Sequence, residues 1–163
     1  MITLVAAMSK GDVIGNKGKI PWGKGQRADI RHFREVTLNK TIIVGSATFA
    51  DSGFPLEKRK HIVITREPKP SSENVAYMNF AEVLDYIQAH STSDFYVIGG
   101  EAVFKLFMNY ANILDLTFID AEYEGDRYFP DIDEKKWRLK SKECFKADVE
   151  NRHDYCFLKY AKR

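Results

Sequence analysis

The sequence predicts an α/β protein with a mostly parallel sheet and helices on both faces. Short apolar runs, such as residues 41–45 and 61–65, alternate with segments of helical periodicity, such as residues 80–90. Strands that alternate with helices in this way pair in parallel through right-handed crossovers. Two late alternating runs, residues 137–146 and 155–160, surround a turn at residues 151–153 and add an antiparallel hairpin at one edge.

The predicted strands are short apolar or alternating runs bounded by glycine, proline or polar residues. They are residues 2–8, 41–45, 61–65, 75–77, 95–98, 113–122, 137–146 and 155–160. The first run is far too short to span a membrane, and it lacks the basic flank of a signal peptide. We therefore expect it to be a core strand of a cytoplasmic protein.

The predicted helices have apolar residues at helical spacing. They are residues 29–37, 47–51, 80–90 and 101–107. In the first helix, Ile30, Phe33 and Val36 share one face. A loop rich in glycine and lysine, residues 11–25, connects this helix to the first strand.

Composition limits the classes of protein to consider. A chain of 163 residues with 44% hydrophobic and 29% charged residues fits one compact domain, residues 1–163. A formal net charge of +2 is too small, and too scattered, to indicate nucleic-acid binding. No apolar run approaches membrane-spanning length. Separately, we expect the protein to be a monomer.

Gly99 and Gly100 lie between an apolar strand and a helix. This arrangement directs free helix N–H groups at one spot, which suits a phosphate or another anion. A tight turn with no ligand is the alternative. Gly45 and Ser46 repeat the pattern, although Ser46 could simply cap a helix. Arg66, after the next strand, could hold a phosphate or remain solvated.

Asp29 is a lone acid beside Ile30 and Phe33. It could grip an amidine-like heterocycle through paired hydrogen bonds, or it could only complement the helix dipole. Burial near apolar groups should raise its pKa. Arg59 could bind a substrate carboxylate through two hydrogen bonds, or it could lie on the surface.

Nucleophilic and metal chemistry are disfavoured. The four histidines are scattered, and no serine lies in a nucleophile motif. Cys144 and Cys156 lack metal-ligand spacing, so we expect no metal site and buried reduced thiols, with a disulfide as the alternative. One carboxylate with two possible phosphate cradles favours chemistry supplied by a bound cofactor.

Together these residues resemble the dihydrofolate reductase family along almost the whole chain. The matching pieces, in order, are Ala6-Ala7, Val13-Ile14-Gly15, Pro21-Trp22, Asp29 with Phe33, residues 37–40, Gly53 with Pro55-Leu56, Arg59, residues 97–100, Thr117, residues 124–126 and Phe129-Pro130. Each piece alone is weak, but their joint order and spacing are specific.

The resemblance implies a three-layer fold with an eight-stranded, mostly parallel sheet and an antiparallel edge hairpin. It also implies NADPH-dependent reduction of 7,8-dihydrofolate to 5,6,7,8-tetrahydrofolate, in support of one-carbon and thymidylate metabolism. Partners are then dihydrofolate, NADPH and antifolate inhibitors. The family also has a cis bond between its paired glycines, here Gly99–Gly100.

The resemblance implies three groups of site residues. The catalytic group is Asp29, Trp22 and Thr117. The substrate pocket is Val5, Ala7, Ile30, Phe33, Ser52, Leu56, Arg59 and Ile98. The cofactor site is Ala7, Ile14, Gly15, Ile20, Gly45, Ser46, Ala47, Thr48, Thr65, Arg66, Gly99, Gly100, Glu101, Ala102, Val103 and Phe104. Residues 14–24 resemble a mobile lid, which Asp126 would tether through backbone hydrogen bonds.

Three features depart from the family pattern. Ser46 and Ala47 replace the usual basic pair, and Arg66 is our hypothesis for the ligand of the NADPH 2′-phosphate. Ser52 stands where an apolar residue is usual, and residues 23–27 lengthen the loop before Asp29.

Two rival interpretations remain. One is a reductase of the same fold that acts on another heterocycle. The other is a nucleotide-binding module without catalysis, for which the altered residues 45–48 are the best support.

Overall fold

Ten strands form one sheet in the computed structural model, which describes residues 1–51 and 53–163. The strands are β1 (Ile2–Ser9), β2 (Val13–Gly15), β3 (Thr41–Gly45), β4 (Lys60–Ile64), β5 (Val75–Met78), β6 (Phe95–Val97), β7 (Ile113–Ile119), β8 (Arg127–Tyr128), β9 (Trp137–Phe145) and β10 (Tyr155–Lys162). The helices are α1 (Arg27–Thr37), α2 (Ser46–Phe49), α3 (Phe80–Ala89) and α4 (Glu101–Phe107).

Eight strands run across the sheet in the order β5-β4-β3-β6-β1-β7-β10-β9. The pairs from β5 to β7 are parallel, and β10 pairs antiparallel with both β7 and β9. This arrangement confirms the predicted mostly parallel sheet with an antiparallel hairpin at its C-terminal edge.

The prediction missed the two short strands β2 and β8. They pair with each other, and β2 also joins β1. β2 lies within residues 11–25, which the sequence predicted to be loop. Strands of three and two residues are too short for alternation to be visible, so only their pairing reveals them.

Helices cover both faces of the sheet, as predicted. One face packs α3 and α4 through Val83, Phe104 and Phe107 against buried strand residues such as Leu4 and Leu116. The opposite face carries α1 and α2. The central strands are uniformly apolar because both of their faces are covered.

The boundaries of the helices follow their caps. Asn79 accepts from the Glu82 N–H at 2.9 Å, and the Glu82 carboxylate accepts from the Asn79 N–H at 3.1 Å. This capping box starts α3 at Phe80, as predicted. By contrast, α1 begins at Arg27, two residues before the predicted start, because contacts from the turn between β9 and β10 support its first turn.

The expectation of buried reduced thiols at Cys144 and Cys156 is wrong. The two residues are directly opposite each other on β9 and β10 and form a disulfide. Cys144 is exposed and Cys156 is half-buried. The hairpin register brings the two side chains together, and the sequence does not specify that register.

Within the described ranges, no helix is long and apolar enough to cross a membrane.

The disulfide should stabilise the folded hairpin by restricting the unfolded chain. The cysteines are 12 residues apart, so a loop-entropy argument gives about 2 to 3 kcal/mol. We expect the Cys144→Ser, Cys156→Ser double variant to melt about 5 to 10 °C lower than the parent. Differential scanning calorimetry with and without reductant measures this difference. An unchanged melting temperature would show that backbone hydrogen bonds alone hold the hairpin.

Candidate active site

The carboxyl ends of four parallel strands meet at one edge of the sheet. In the registers of the pairs, Leu4 lies beside Val97 and Gly45 lies beside Ile64. The segments after β1, β3, β4 and β6 therefore emerge together, as predicted for a ligand site in an open α/β sheet.

Gly45, Gly99 and Gly100 form a tightly packed main-chain turn at this edge. The Gly45 N–H donates to Gly99 O at 2.8 Å, and the Gly99–Gly100 bond is cis, as the resemblance implied. A Cβ atom at Gly45 would lie 3.0 Å from Val103 Cγ2, and one at Gly100 would lie 3.2 Å from Thr48 Oγ1. Side chains at these positions would be crowded by Val103 and Thr48, so the turn is bare backbone.

The side chains of Val103 and Phe104 lie beneath this turn and are buried. Phe104 also packs on Phe129 with ring centroids 5.1 Å apart. The Glu101 carboxylate accepts from the Tyr128 N–H at 3.3 Å, so it points toward β8. These residues could therefore contact a cofactor only through their main chain.

Asp29 lies in the first turn of α1, deep in the cleft between that helix and the sheet. Asp29 is half-buried. Burial raises the pKa of Asp29 to about 6, although the Thr117 hydroxyl and the charge of His32 act in the opposite direction. Thr117 is buried and pairs with Ala7 in the β1–β7 register.

The turn between β9 and β10 fixes the start of α1. Asn151 Oδ1 accepts from the Ala28 N–H at 2.9 Å, which caps the helix from a distant segment. Gln26 is 1% exposed, and its side chain bonds both to the His153 N–H and to the His153 carbonyl. The sequence predicted only a turn here, because nothing in its pattern reveals the contact with α1.

His32 and Asp115 form a pair beside Asp29 that the sequence analysis also missed. His32 Nε2–H donates to Asp115 Oδ1 at 2.8 Å, and Asp115 is 6% exposed. A signal was available, since an acid in an otherwise apolar strand needs a partner when it is buried.

Apolar residues line the cleft between α1 and the sheet. Val5 and Ala7 lie on the same face of the sheet as Asp115 and Thr117, their register partners on β7. Ile30 and Phe33 are half-buried on α1, and Ile98 packs near Val44 on the strand-end side. Ser52 lies outside the described residues.

His61 positions the loop that carries Leu56. The Leu56 N–H donates to His61 Nε2 at 2.9 Å, and His61 Nδ1–H donates to Asn74 O at 3.1 Å. This pattern requires a neutral imidazole, and burial lowers the pKa of His61 accordingly.

Arg59 lies at the outer end of the same cleft. Its guanidinium donates to Thr37 Oγ1, to Glu57 O at 2.7 Å and to Arg34 O at 3.1 Å. Burial lowers the pKa of Arg59, and the nearby charge of Arg34 lowers it further. Two cations thus lie close together, of which the sequence analysis identified only Arg59.

The predicted lid, residues 14–24, begins in β2 and is tethered as the resemblance implied. The Lys17 N–H donates to Asp126 Oδ2 at 3.1 Å, and the Asp126 N–H donates to Gly15 O at 3.0 Å. Ile20 is 58% exposed at the outer surface of this segment, whereas Trp22 is 4% exposed and packs edge-on against Tyr123. The segment therefore combines a buried anchor with an exposed tip.

Arg66 follows the end of β4, beside the start of α2. Arg66, Ser46 and Ala47 are exposed, whereas Thr48 and Thr65 are half-buried. The described ranges contain no group of three or more His, Cys, Asp or Glu side chains that could hold a metal ion.

The fold and the cleft define an α/β protein with a half-buried aspartate, Asp29, beside an apolar pocket and a bare glycine turn at the strand ends. Comparison with known proteins identifies the class. A family model for dihydrofolate reductase matches residues 1–162.

Two curated relatives support this match. The dihydrofolate reductase of Bacillus subtilis is 35% identical over 164 residues, covering 100% of this chain and 95% of its own. Dihydrofolate reductase type 3 of Salmonella typhimurium is 35% identical over 153 residues, covering 93% of this chain and 91% of its own.

A solved structure is also similar. It is the dihydrofolate reductase from Enterococcus faecalis in complex with NADP(H) and RAB-propyl, with a TM-score of 0.89 and 30% identity. The alignment covers 100% of this chain and 96% of that one. The protein therefore belongs to the dihydrofolate reductase family.

Burial of Asp29 should cost stability above its pKa. Its pKa is about 6 in the folded protein and near 3.8 in the unfolded chain, so folding becomes less favourable as the pH rises from 4 through 6. We expect Asp29→Asn to stabilise the protein by about 1 to 3 kcal/mol at pH 7.5. Urea unfolding of both proteins from pH 4 to pH 8 tests this. A difference that does not shrink toward pH 4 contradicts the linkage to Asp29.

Proposed function

We propose that this protein reduces 7,8-dihydrofolate to 5,6,7,8-tetrahydrofolate with NADPH, and that Asp29 is its catalytic carboxyl. The observation that carries the proposal is Asp29, a carboxyl whose pKa burial raises to about 6, in the cleft between α1 and the sheet. The similar proteins from three bacteria are all named dihydrofolate reductase, and one is a complex with NADP(H).

The pterin ring would bind between α1 and the sheet. Asp29 would pair with the ring's amino group and adjacent nitrogen, and Thr117 would support that contact from β7. The apolar walls of this pocket would be Val5, Ala7, Ile30, Phe33, Leu56 and Ile98. Ser52 stays a prediction of the resemblance.

Arg59 would bind the carboxylate of the substrate's glutamate tail. A carboxylate could replace the carbonyls of Glu57 and Arg34, because charge-assisted bonds are stronger than those to neutral oxygens. The nearby Arg34 side chain adds a second positive charge. This basic end of the cleft favours a tailed pterin over a heterocycle without a carboxylate.

NADPH fits the edge formed by the glycine turn. Cβ atoms at Gly45 and Gly100 would be crowded by Val103 and Thr48, so only bare backbone is present there. The neighbouring main chain of residues 45–48 and 99–104 would border the cofactor, with Thr65 and Arg66 at the next strand end. When bound, NADPH supplies a hydride.

The chain's own contribution is orientation, protonation and exclusion of water. Asp29 would polarise the ring while water delivers a proton to the ring nitrogen beside the carbon that accepts the hydride. The lid segment, with Ile20 at its tip and Trp22 as its anchor, would close over the reacting atoms. Asp126 would hold the base of the lid through its backbone bonds.

Three further properties belong to the proposal. We propose that residues 1–163 act as one domain, that the protein is a monomer, and that it works in the cytoplasm.

The decisive experiment follows NADPH absorbance with purified enzyme and dihydrofolate. We expect oxidation that requires dihydrofolate, and we expect Asp29→Asn to lower that rate at pH 7 by about 10² to 10⁴-fold. NADPH binding by fluorescence should stay nearly unchanged in that variant. Full activity of Asp29→Asn would remove the residue from the mechanism, and NADPH binding without turnover in the parent would favour a binding module.

Arg66 should determine the preference for NADPH over NADH. Its guanidinium is the exposed cation that follows β4, and a planar fork suits a 2′-phosphate. We expect Arg66→Ala to weaken NADPH affinity about tenfold or more, with little effect on NADH. Arg138→Ala, which removes an exposed cation at the far edge of the sheet, is the matched control. Equal NADPH affinities in the parent and Arg66→Ala would refute the assignment.

A further inference from the structure

One charged pair lies beside Asp29, and the roles proposed above do not use it. His32 is one turn after Asp29 on α1, and its Nε2–H donates to Asp115 Oδ1 at 2.8 Å. Asp115 lies two residues before Thr117 on β7, so both side chains face α1. The His32 ring also stacks on Phe157, with ring centroids 4.6 Å apart. The imidazole is therefore held on two sides.

Each element that packs against this pair places a titratable group near it. Asp29 lies on the same helix, Lys159 pairs with Asp115 in the β7–β10 register, and Tyr96 lies on β6 within the field of Asp115. The hydrogen bond from Asp115 raises the pKa of His32, and the charges of Asp115 and Asp29 add to it. Burial and the charge of Lys159 oppose these effects without reversing them.

We propose that His32, fixed by Asp115, is a positioning residue that keeps the Asp29 carboxylate ionised and thereby sets the upper pH limit of the reaction. This inference rests on the proposed role of Asp29. An imidazolium one helical turn away favours a carboxylate over a carboxylic acid.

The direction of the effect does not depend on where the proton resides. Asp29 and the bound pterin titrate as a coupled pair, and the apparent pKa belongs to both. A nearby positive charge disfavours the protonated form of either group. The reaction needs this proton. The pH at which its rate falls should therefore be lower with the imidazolium present than without it.

The His32→Gln variant separates this role from a merely structural one. Glutamine can still donate a hydrogen bond to Asp115 but carries no charge. We expect the pH at which the single-turnover hydride-transfer rate falls to move upward by about half a pH unit or more. A pair that only holds α1 against the sheet would leave this pH unchanged.

Arg31→Gln is the matched control. Arg31 is the neighbouring cation on α1, but it is exposed and pairs with Glu150 at 2.7 Å. We expect its removal to leave the pH profile in place. An equal shift in both variants, or no shift in His32→Gln, overturns the inference.

A second measurement requires no substitution at His32. In the unliganded parent, the carboxyl-carbon NMR signal of Asp29 should show two inflections with pH, one its own and one that coincides with the His32 imidazole. Asp115→Asn should move the imidazole inflection to lower pH. A single inflection overturns the inference even if Asp29→Asn is inactive, whereas an active Asp29→Asn overturns the proposed function instead.

Discussion

The location of Asp29 depends on the hydrogen bonds that join the first turn of α1 to the turn between β9 and β10. Asn151 caps the Ala28 N–H, the Arg27 N–H donates to Glu150 O, and Gln26 pairs with His153 in both directions. These groups lie about 120 residues apart in the chain. Because Gln26 and Asn151 are buried, breaking the bonds that their side chains make would leave an unsatisfied polar group.

The same burial that destabilises the ionised form of Asp29 suits it to proton chemistry near neutral pH. An exposed aspartate would be ionised throughout that range, whereas a carboxyl with a pKa of about 6 responds to pH within it. The Thr117 hydroxyl and the charge of His32 lower the pKa of Asp29 and so partly offset the effect of burial. The site therefore holds an acid that can gain or lose a proton near neutral pH. Burying its charge costs stability, and the sheet and its two helical layers offset that cost.

The two halves of the cleft are built differently. On the side proposed for the substrate, the surface consists of side chains on α1, β1 and β7. The side proposed for the cofactor is largely main chain, because Gly45, Gly99 and Gly100 leave no side chains at the turn. Backbone cannot distinguish one phosphate ester from another by charge, so selectivity there would depend on exposed side chains such as Arg66.

The sequence by itself determined the order and type of the main elements and the parallel sheet, and it singled out Asp29 as the candidate acid. These follow from local patterns, namely apolar runs, helical spacing and glycine between a strand and a helix. Tertiary structure alone decided the register that joins Cys144 to Cys156, the cap from Asn151 and the pairing of His32 with Asp115. Each of these joins residues from separate elements, and local periodicity carries no information about which distant side chains meet.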